Sequence, residues 1–182
     1  MSNTPASISD ELAQWLLEQK VFFVATAPLS ADGHVNLSPK GLDTFRVLDA
    51  HTVAWLDLTG SGAETIAHFR ENGRACVMFC AFDGPPRIIR LQGRGDVLLP
   101  GDADFEALIG RFPPTPGTRS ILRVRVTRVA KTCGFAVPRM DFVGTRDRLQ
   151  AWAIEKGEDG VAEYRRKNNA LSIDGLPAID VD

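Results

Sequence analysis

The sequence predicts a mainly β protein, a barrel of short antiparallel strands with helices at its periphery. Two observations carry this. Short apolar or alternating runs recur along the first two thirds of the chain, separated by turn signals. Helical spacing is confined to a few short segments between them and to the last third. At 182 residues the chain is long enough for one substantial core and short for two.

The elements follow in order. Ser9-Asp10-Glu11 opens a helix, with Ser9 as cap and the acids at the positive end of the dipole. Leu12, Trp15 and Leu16 then recur at helical spacing. Val21–Ala27 is rich in β-formers and reads as the first strand. Ala31-Asp32-Gly33-His34 turns the chain back into Val35–Ser38. Phe45–Leu48 and Thr52–Asp57 are the third and fourth strands. Ala63–Glu71 is a helix that Asn72-Gly73 ends. Arg74–Phe82 and Arg87–Leu99 are strands joined by the turn Asp83-Gly84-Pro85-Pro86. Asp102–Ile109 is a further helix, and a proline-rich loop follows it. Ser120–Ala130 alternates, with Ile121, Leu122, Val124, Val126 and Val129 set against Arg123, Arg125, Thr127 and Arg128. Asp147–Glu155 and Gly157–Lys167 are predicted as two helices. Leu171–Pro177 reads as an ordered tail.

Composition narrows the function. A net charge of −2 gives no long-range attraction for nucleic acid. No apolar run is long enough to span a bilayer. Met1–Asp10 is polar and lacks the basic-then-apolar order of a leader, so the cytoplasm is the expected compartment. Cys76 and Cys80 sit in a buried-strand pattern and read as small hydrophobes; with Cys133 they make an odd set that cannot fully pair. His34, His51 and His68 lack metal-motif spacing and read as surface or helix-packing residues. The arginines at 123, 125 and 128 read as a solvated strand face, with a stripe for an anionic ligand as the alternative.

Two segments carry candidate chemistry. Val35-Asn36-Leu37-Ser38-Pro39-Lys40-Gly41 offers a hydroxyl and a cation at a strand end. Thr59-Gly60-Ser61-Gly62-Ala63-Glu64-Thr65 joins a strand to a helix start, where glycines admit close backbone approach and free N–H groups favour an anion. The alternative for the second is a flexible loop in which Ser61 caps the helix. No Gly-Lys-Ser/Thr follows, so it is not a P-loop. The parallel βαβ context of a dinucleotide fingerprint is absent as well.

In their order along the chain these segments, with Trp55–Gly62, His68–Arg74, Val77-Met78-Phe79 and Arg87–Gly95, resemble the pyridoxamine 5′-phosphate oxidase-like family of FMN-binding split-barrel proteins. The resemblance covers roughly residues 10–130. It implies a split-barrel flavin domain over residues 1–130 and a homodimer with FMN at the subunit interface; residues 131–182, where the chain departs from the oxidase, are expected as a C-terminal helical extension packed on that domain. It places Asn36, Ser38 and Lys40 along the flavin, Leu58 and Thr59 against its ring, and Ser61, Gly62 and Thr65 at its phosphate. Two departures stand out. The oxidase has an Arg-Lys pair at the helix start, where this chain has Glu64-Thr65. Its second strand starts with an arginine, where this chain has Val35. Phosphate binding then rests on Lys40, the hydroxyls and the helix dipole, with Arg87 or Arg90 as a compensating cation, and vitamin-B6 oxidase activity is not implied.

The resulting expectation is an FMN-dependent oxidoreductase acting on a small molecule, its redox step supplied by the isoalloxazine. A non-catalytic flavin carrier or sensor is the alternative, and a haem-binding split barrel a third. No nucleophile triad or spaced carboxylate pair is visible in the sequence. The tail from Asn168 to Pro177 reads either as a set of helix and turn caps or as a segment that covers the flavin site. Its removal is expected to leave the barrel folded, because every strand lies upstream.

Overall fold

The structure, a computed structural model, describes residues 7–180. The N-terminal stretch read above as lacking a leader's pattern lies mostly outside the described residues. Among the described residues no helix is long and apolar enough to cross a membrane.

Among the described residues seven strands form one antiparallel sheet: β1 (Phe22–Thr26), β2 (Asn36–Lys40), β3 (Phe45–Asp49), β4 (Thr52–Leu58), β5 (Arg74–Cys80), β6 (Ile88–Leu98) and β7 (Thr118–Thr132). Their order is β2-β1-β5-β6-β7-β4-β3. Four helices accompany them: α1 (Asp10–Glu18), α2 (Glu64–Glu71), α3 (Ala103–Ile109) and α4 (Arg148–Asn168). The expected elements are present, and α4 comprises the two expected C-terminal helices, separated at Gly157 by its non-helical φ of 67° and ψ of 174°. Ser9 caps α1 as expected, its hydroxyl accepting from the Leu12 N–H. Gly73, at φ 70°, closes α2 by donating to the His68 carbonyl.

The sheet curls onto itself. Phe22 on β1 lies 5.2 Å, ring centre to centre, from Phe45 on β3, although these strands sit near opposite ends of the strand order. Phe79 stacks on Phe22 at 5.5 Å and meets Phe45 edge-on at 4.9 Å. Trp55 closes the cluster. Together with Val24, Val53, Val77, Leu91 and Val124 these rings fill the barrel interior. β4 is buried on both faces, because Ala54 and Leu56 point away from that interior into a second core under α3, with Phe105, Phe112 and Ile121. A strand buried on both sides reads as a continuous apolar run.

Two bulges set the side-chain facing of β7. Between Gln92 and Gly93 the register with β6 slips, which puts Thr127 and Arg128 side by side outside the barrel. Gly93 permits it: a Cβ there would lie 2.0 Å from the Arg125 carbonyl oxygen. The second slip lies between Asp57 and Leu58, which face Ser120 and Thr118, so Arg119 is the extra residue. By strand alternation Arg119 belongs with Ile121 on the outer face; the bulge turns it inward onto Asp57.

Candidate functional site at the β4–α2 loop

The loop from Thr59 to Ala63 is held from beneath by a buried polar network. Arg119 donates from Nε to Asp57 Oδ2 at 2.7 Å, and the two side chains are 4 % and 1 % exposed. Ser120 also donates to Asp57, at 3.3 Å. Arg119 Nη1 donates to the Gly62 carbonyl at 3.0 Å and to Asn169 Oδ1 at 2.8 Å. Asn169 in turn donates to the Gly60 carbonyl at 3.0 Å. Arg165 donates from Nε to the Thr59 hydroxyl, and the Thr59 N–H and hydroxyl both donate to the Gly117 carbonyl. The glycine carbonyls are thus engaged inward, and among the described residues Ser61 makes no hydrogen bond. Lys40 Nζ stands 3.8 Å from Asp57 Oδ1. Three cations, at Lys40, Arg119 and Arg165, therefore surround one carboxylate below the loop. Arg165 feels this: burial, with the neighbouring Arg119 charge, lowers its pKa.

A second polar chain ties β2 to α2. Ser38 Oγ donates to Asn36 Oδ1 at 3.0 Å. Asn36 Nδ2 donates to Thr26 Oγ1 at 3.0 Å and Thr65 Oγ1 at 3.1 Å. Thr26 Oγ1 is 2.8 Å from His68 Nδ1. His68 is fully buried in α2, and burial lowers its pKa, which favours the neutral imidazole.

These positions redistribute the sequence expectations. Asn36, Ser38 and Thr65 meet in one hydrogen-bonded chain. Lys40 connects to Gly62 through Asp57 and Arg119, and Thr59 is locked to β7 and α4. Leu58 packs against the second core. Ser61 is exposed and does not cap α2; the cap position is Ala63, with no side-chain bond. Arg90 does not join the others within one chain. It aligns across the sheet with Met78, Phe23 and Pro39, on the face opposite Ser38, Val24 and Leu91, and donates to the Thr132 hydroxyl. Arg87 stacks on Trp15 at 5.1 Å. The Arg123 guanidinium, read as one of three on a solvated strand face, is paired with Asp96 and Asp104, which raise its pKa. The thiols of Cys76 and Cys80 are free, and burial pushes their pKa values up; Cys133 is free and exposed.

Sequence reasoning missed Asp57, Arg119, Arg165 and Asn169. Asp57 in an otherwise apolar strand was the available signal, since a carboxylate there demands a partner. Its partner follows only from the bulge.

The tail folds over the start of α2. The Ile173 N–H donates to the Glu64 carboxylate, and Leu171 bridges Pro177. Asp174 accepts from the His34 backbone N–H at 2.8 Å and lies 2.7 Å from its ring. That ring contact raises the His34 pKa, with the Asp174 charge next and Glu64 adding to it; the Asp174 carboxyl is lowered, first by the His34 ring. The imidazolium contribution is complete below about pH 6.5 and is lost as pH rises through the raised folded value. The carboxylate contribution is present above about pH 3.9 and is lost as pH falls through the lowered one. The tail is therefore expected to dock best between these limits. Proteolysis within 172–176 should accelerate between about pH 6 and about pH 9 in the parent. His34→Ala should be nicked readily at both, after correction for protease activity; a parent with no pH trend would refute the coupling.

The sequence profile described as "Pyridoxamine 5'-phosphate oxidase" matches residues 8–133. The chain belongs to the pyridoxamine 5′-phosphate oxidase-like family. It is 41 % identical over 192 residues to the pyridoxamine 5′-phosphate oxidase family protein ustO of Aspergillus flavus, an alignment spanning 95 % of this chain and 76 % of that one. Among solved structures it resembles HupZ of Group A Streptococcus, with a TM-score of 0.53 and 22 % identity, over 69 % of this chain and 94 % of that one. A Lactobacillus delbrueckii protein that carries the family's name has the same TM-score at 15 % identity, over 69 % and 95 %. These likenesses establish the antiparallel split-barrel fold with peripheral helices.

Proposed function

We propose that the protein is an FMN-binding oxidoreductase of this family, acting on a small molecule. The single observation that carries the reading is the β4–α2 loop: its carbonyls are drawn inward by Arg119 and Asn169, while the Ser61 hydroxyl faces outward. A loop so held offers donors to an anion, above a cationic floor and beside the start of an eight-residue helix. The donor set fits a phosphate. Lys40 retains 26 % side-chain exposure, and Gly60 and Gly62 leave room, since a Cβ on either would meet nothing closer than 3.6 Å.

A bound flavin supplies the electron transfer. The chain's own residues bind and orient: Lys40, Ser61, Gly62 and Thr65 hold the phosphate, and Asn36 and Ser38 line the β2 side. Glu64, the one anion at the helix start, has its carboxylate engaged by the Ile173 N–H.

Lys40→Ala and Thr65→Val are each expected to weaken FMN binding by about 1–3 kcal/mol, the range for a charge-assisted hydrogen bond. Riboflavin, which lacks the phosphate, should bind parent and variants equally. Unchanged FMN affinity in both variants would sink the assignment. Bleaching of the loaded protein by reduced nicotinamide, followed by turnover, separates an enzyme from a carrier, and a Soret band in place of flavin absorption would point to haem.

We further propose that the protein works as a homodimer. Leu37 on β2 and Val35 just before it are exposed, and the segment after β7 exposes Phe135, Phe142 and Val143. A second copy would cover such apolar area. Light scattering of the flavin-loaded protein at micromolar concentration should give twice the chain mass; a stable loaded monomer contradicts the proposal.

A further inference from the structure

The C-terminal extension encloses a second recognition feature on the outer side of the same loop. A cleft of about 500 Å³ lies between Gly60–Ser61 and the kinked α4. Its wall is the Trp152–Tyr164 pair, whose rings meet edge to face at 4.9 Å across the two halves of the helix. Both rings are partly exposed, so aromatic surface faces the cavity. Arg146 and Arg148 stand at its rim, and neither has an ion pair or hydrogen bond among the described residues. Arg46, Arg70 and Arg123, by contrast, are ion-paired, with Asp43, with Asp180, and with Asp96 and Asp104. Two uncommitted guanidiniums, an unbonded Ser61 hydroxyl and an aromatic wall converge on one space of ligand size.

We infer that this cleft binds a planar aromatic ligand bearing an anionic group, its ring against Trp152 and Tyr164 and its charge between Arg146 and Arg148. Aromatic walls hold planar rings by offset or edge contacts, and guanidinium forks match the oxygens of phosphate or carboxylate. The kink at Gly157 matters to this. It lets the second half of the helix fold back, so that Tyr164 reaches Trp152, twelve positions earlier. The cleft adjoins the proposed flavin phosphate site at Ser61, and its ligand is a separate aromatic acid held beside that site.

The test uses the full-length protein, as isolated and after saturation with FMN, titrated calorimetrically with 2-naphthyl phosphate and with neutral 2-naphthol. The phosphate is expected to bind at least about tenfold tighter than the naphthol, the margin of a charge-assisted bond. The double variant Arg146→Gln/Arg148→Gln should erase that preference with no change in thermal midpoint, because both side chains are exposed. Trp152→Leu should weaken both probes alike. Naphthyl phosphate binding is expected to persist after FMN saturation; its loss would make the cleft part of the flavin site and would overturn the inference. Equal affinity of the two probes for the parent, or an unaltered preference in the double variant, overturns the inference. The probe is measured without flavin, so a failure of FMN binding leaves this result readable.

Discussion

Asp57→Ala is expected to cost about 3–5 kcal/mol of folding stability, the range for breaking a buried ion pair by removing one partner. The carboxylate is 1 % exposed, and its loss strands Arg119, which is equally enclosed, among carbonyls and Asn169. Lys40 loses its nearest anion in the same step. Urea unfolding measures the cost, and a loss under about 1 kcal/mol would contradict the network described here. The double variant Asp57→Leu/Arg119→Met is expected to recover much of the stability, since apolar replacement of a buried pair is often neutral or better. It should not recover FMN affinity, because the Gly62 carbonyl and Asn169 have then lost the guanidinium that holds them. Stability and loop geometry thereby separate in one experiment.

Truncation after Lys167 is expected to lower stability by about 3 kcal/mol or more, taking roughly 1–3 kcal/mol for each buried polar group left unsatisfied. Asn169, which is fully buried, bonds to both Arg119 and Gly60, and Ala178 is fully buried beside the main core. The expectation from sequence alone, that removal would leave the barrel intact because its strands lie upstream, is therefore replaced by one of a destabilised barrel with a loosened loop. Asn169→Ala should reproduce a large part of the effect. The readouts are the thermal midpoint and the flavin reoxidation rate. An unchanged midpoint with unchanged reoxidation would show the tail to be ornamental.

The strand runs were legible because each carries its own local signal. Val53–Leu56 is a continuous apolar run, Thr118–Thr132 alternates, and turns at Asp83–Pro86 and Asn72-Gly73 mark the ends. The candidate loop was legible for the same reason: glycines and hydroxyls between a strand and a helix are a short-range pattern. The break at Gly157 was legible as the boundary between two predicted helices, and the backbone there is non-helical. Arg119 was not legible. In an alternating strand it counts as an outward residue like Arg123, and only the one-residue slip opposite Asp57 turns it inward. Arg90 illustrates the converse. It lies in the right strand and has the right chemistry, but pairing parity sets it on the sheet face away from Ser38.

The sequence by itself determined the fold class, the order of elements, the family and the loop that bears the candidate site, because periodicity, turn chemistry and motif order are properties of neighbouring residues. The tertiary structure alone decided which charges meet. Arg119 is 62 positions from Asp57 and Asn169 is 109 from Gly60, and bonds of that span depend on strand register, a bulge and the path of a helix. A single slipped residue reverses the facing of a side chain without altering the pattern that predicts the strand.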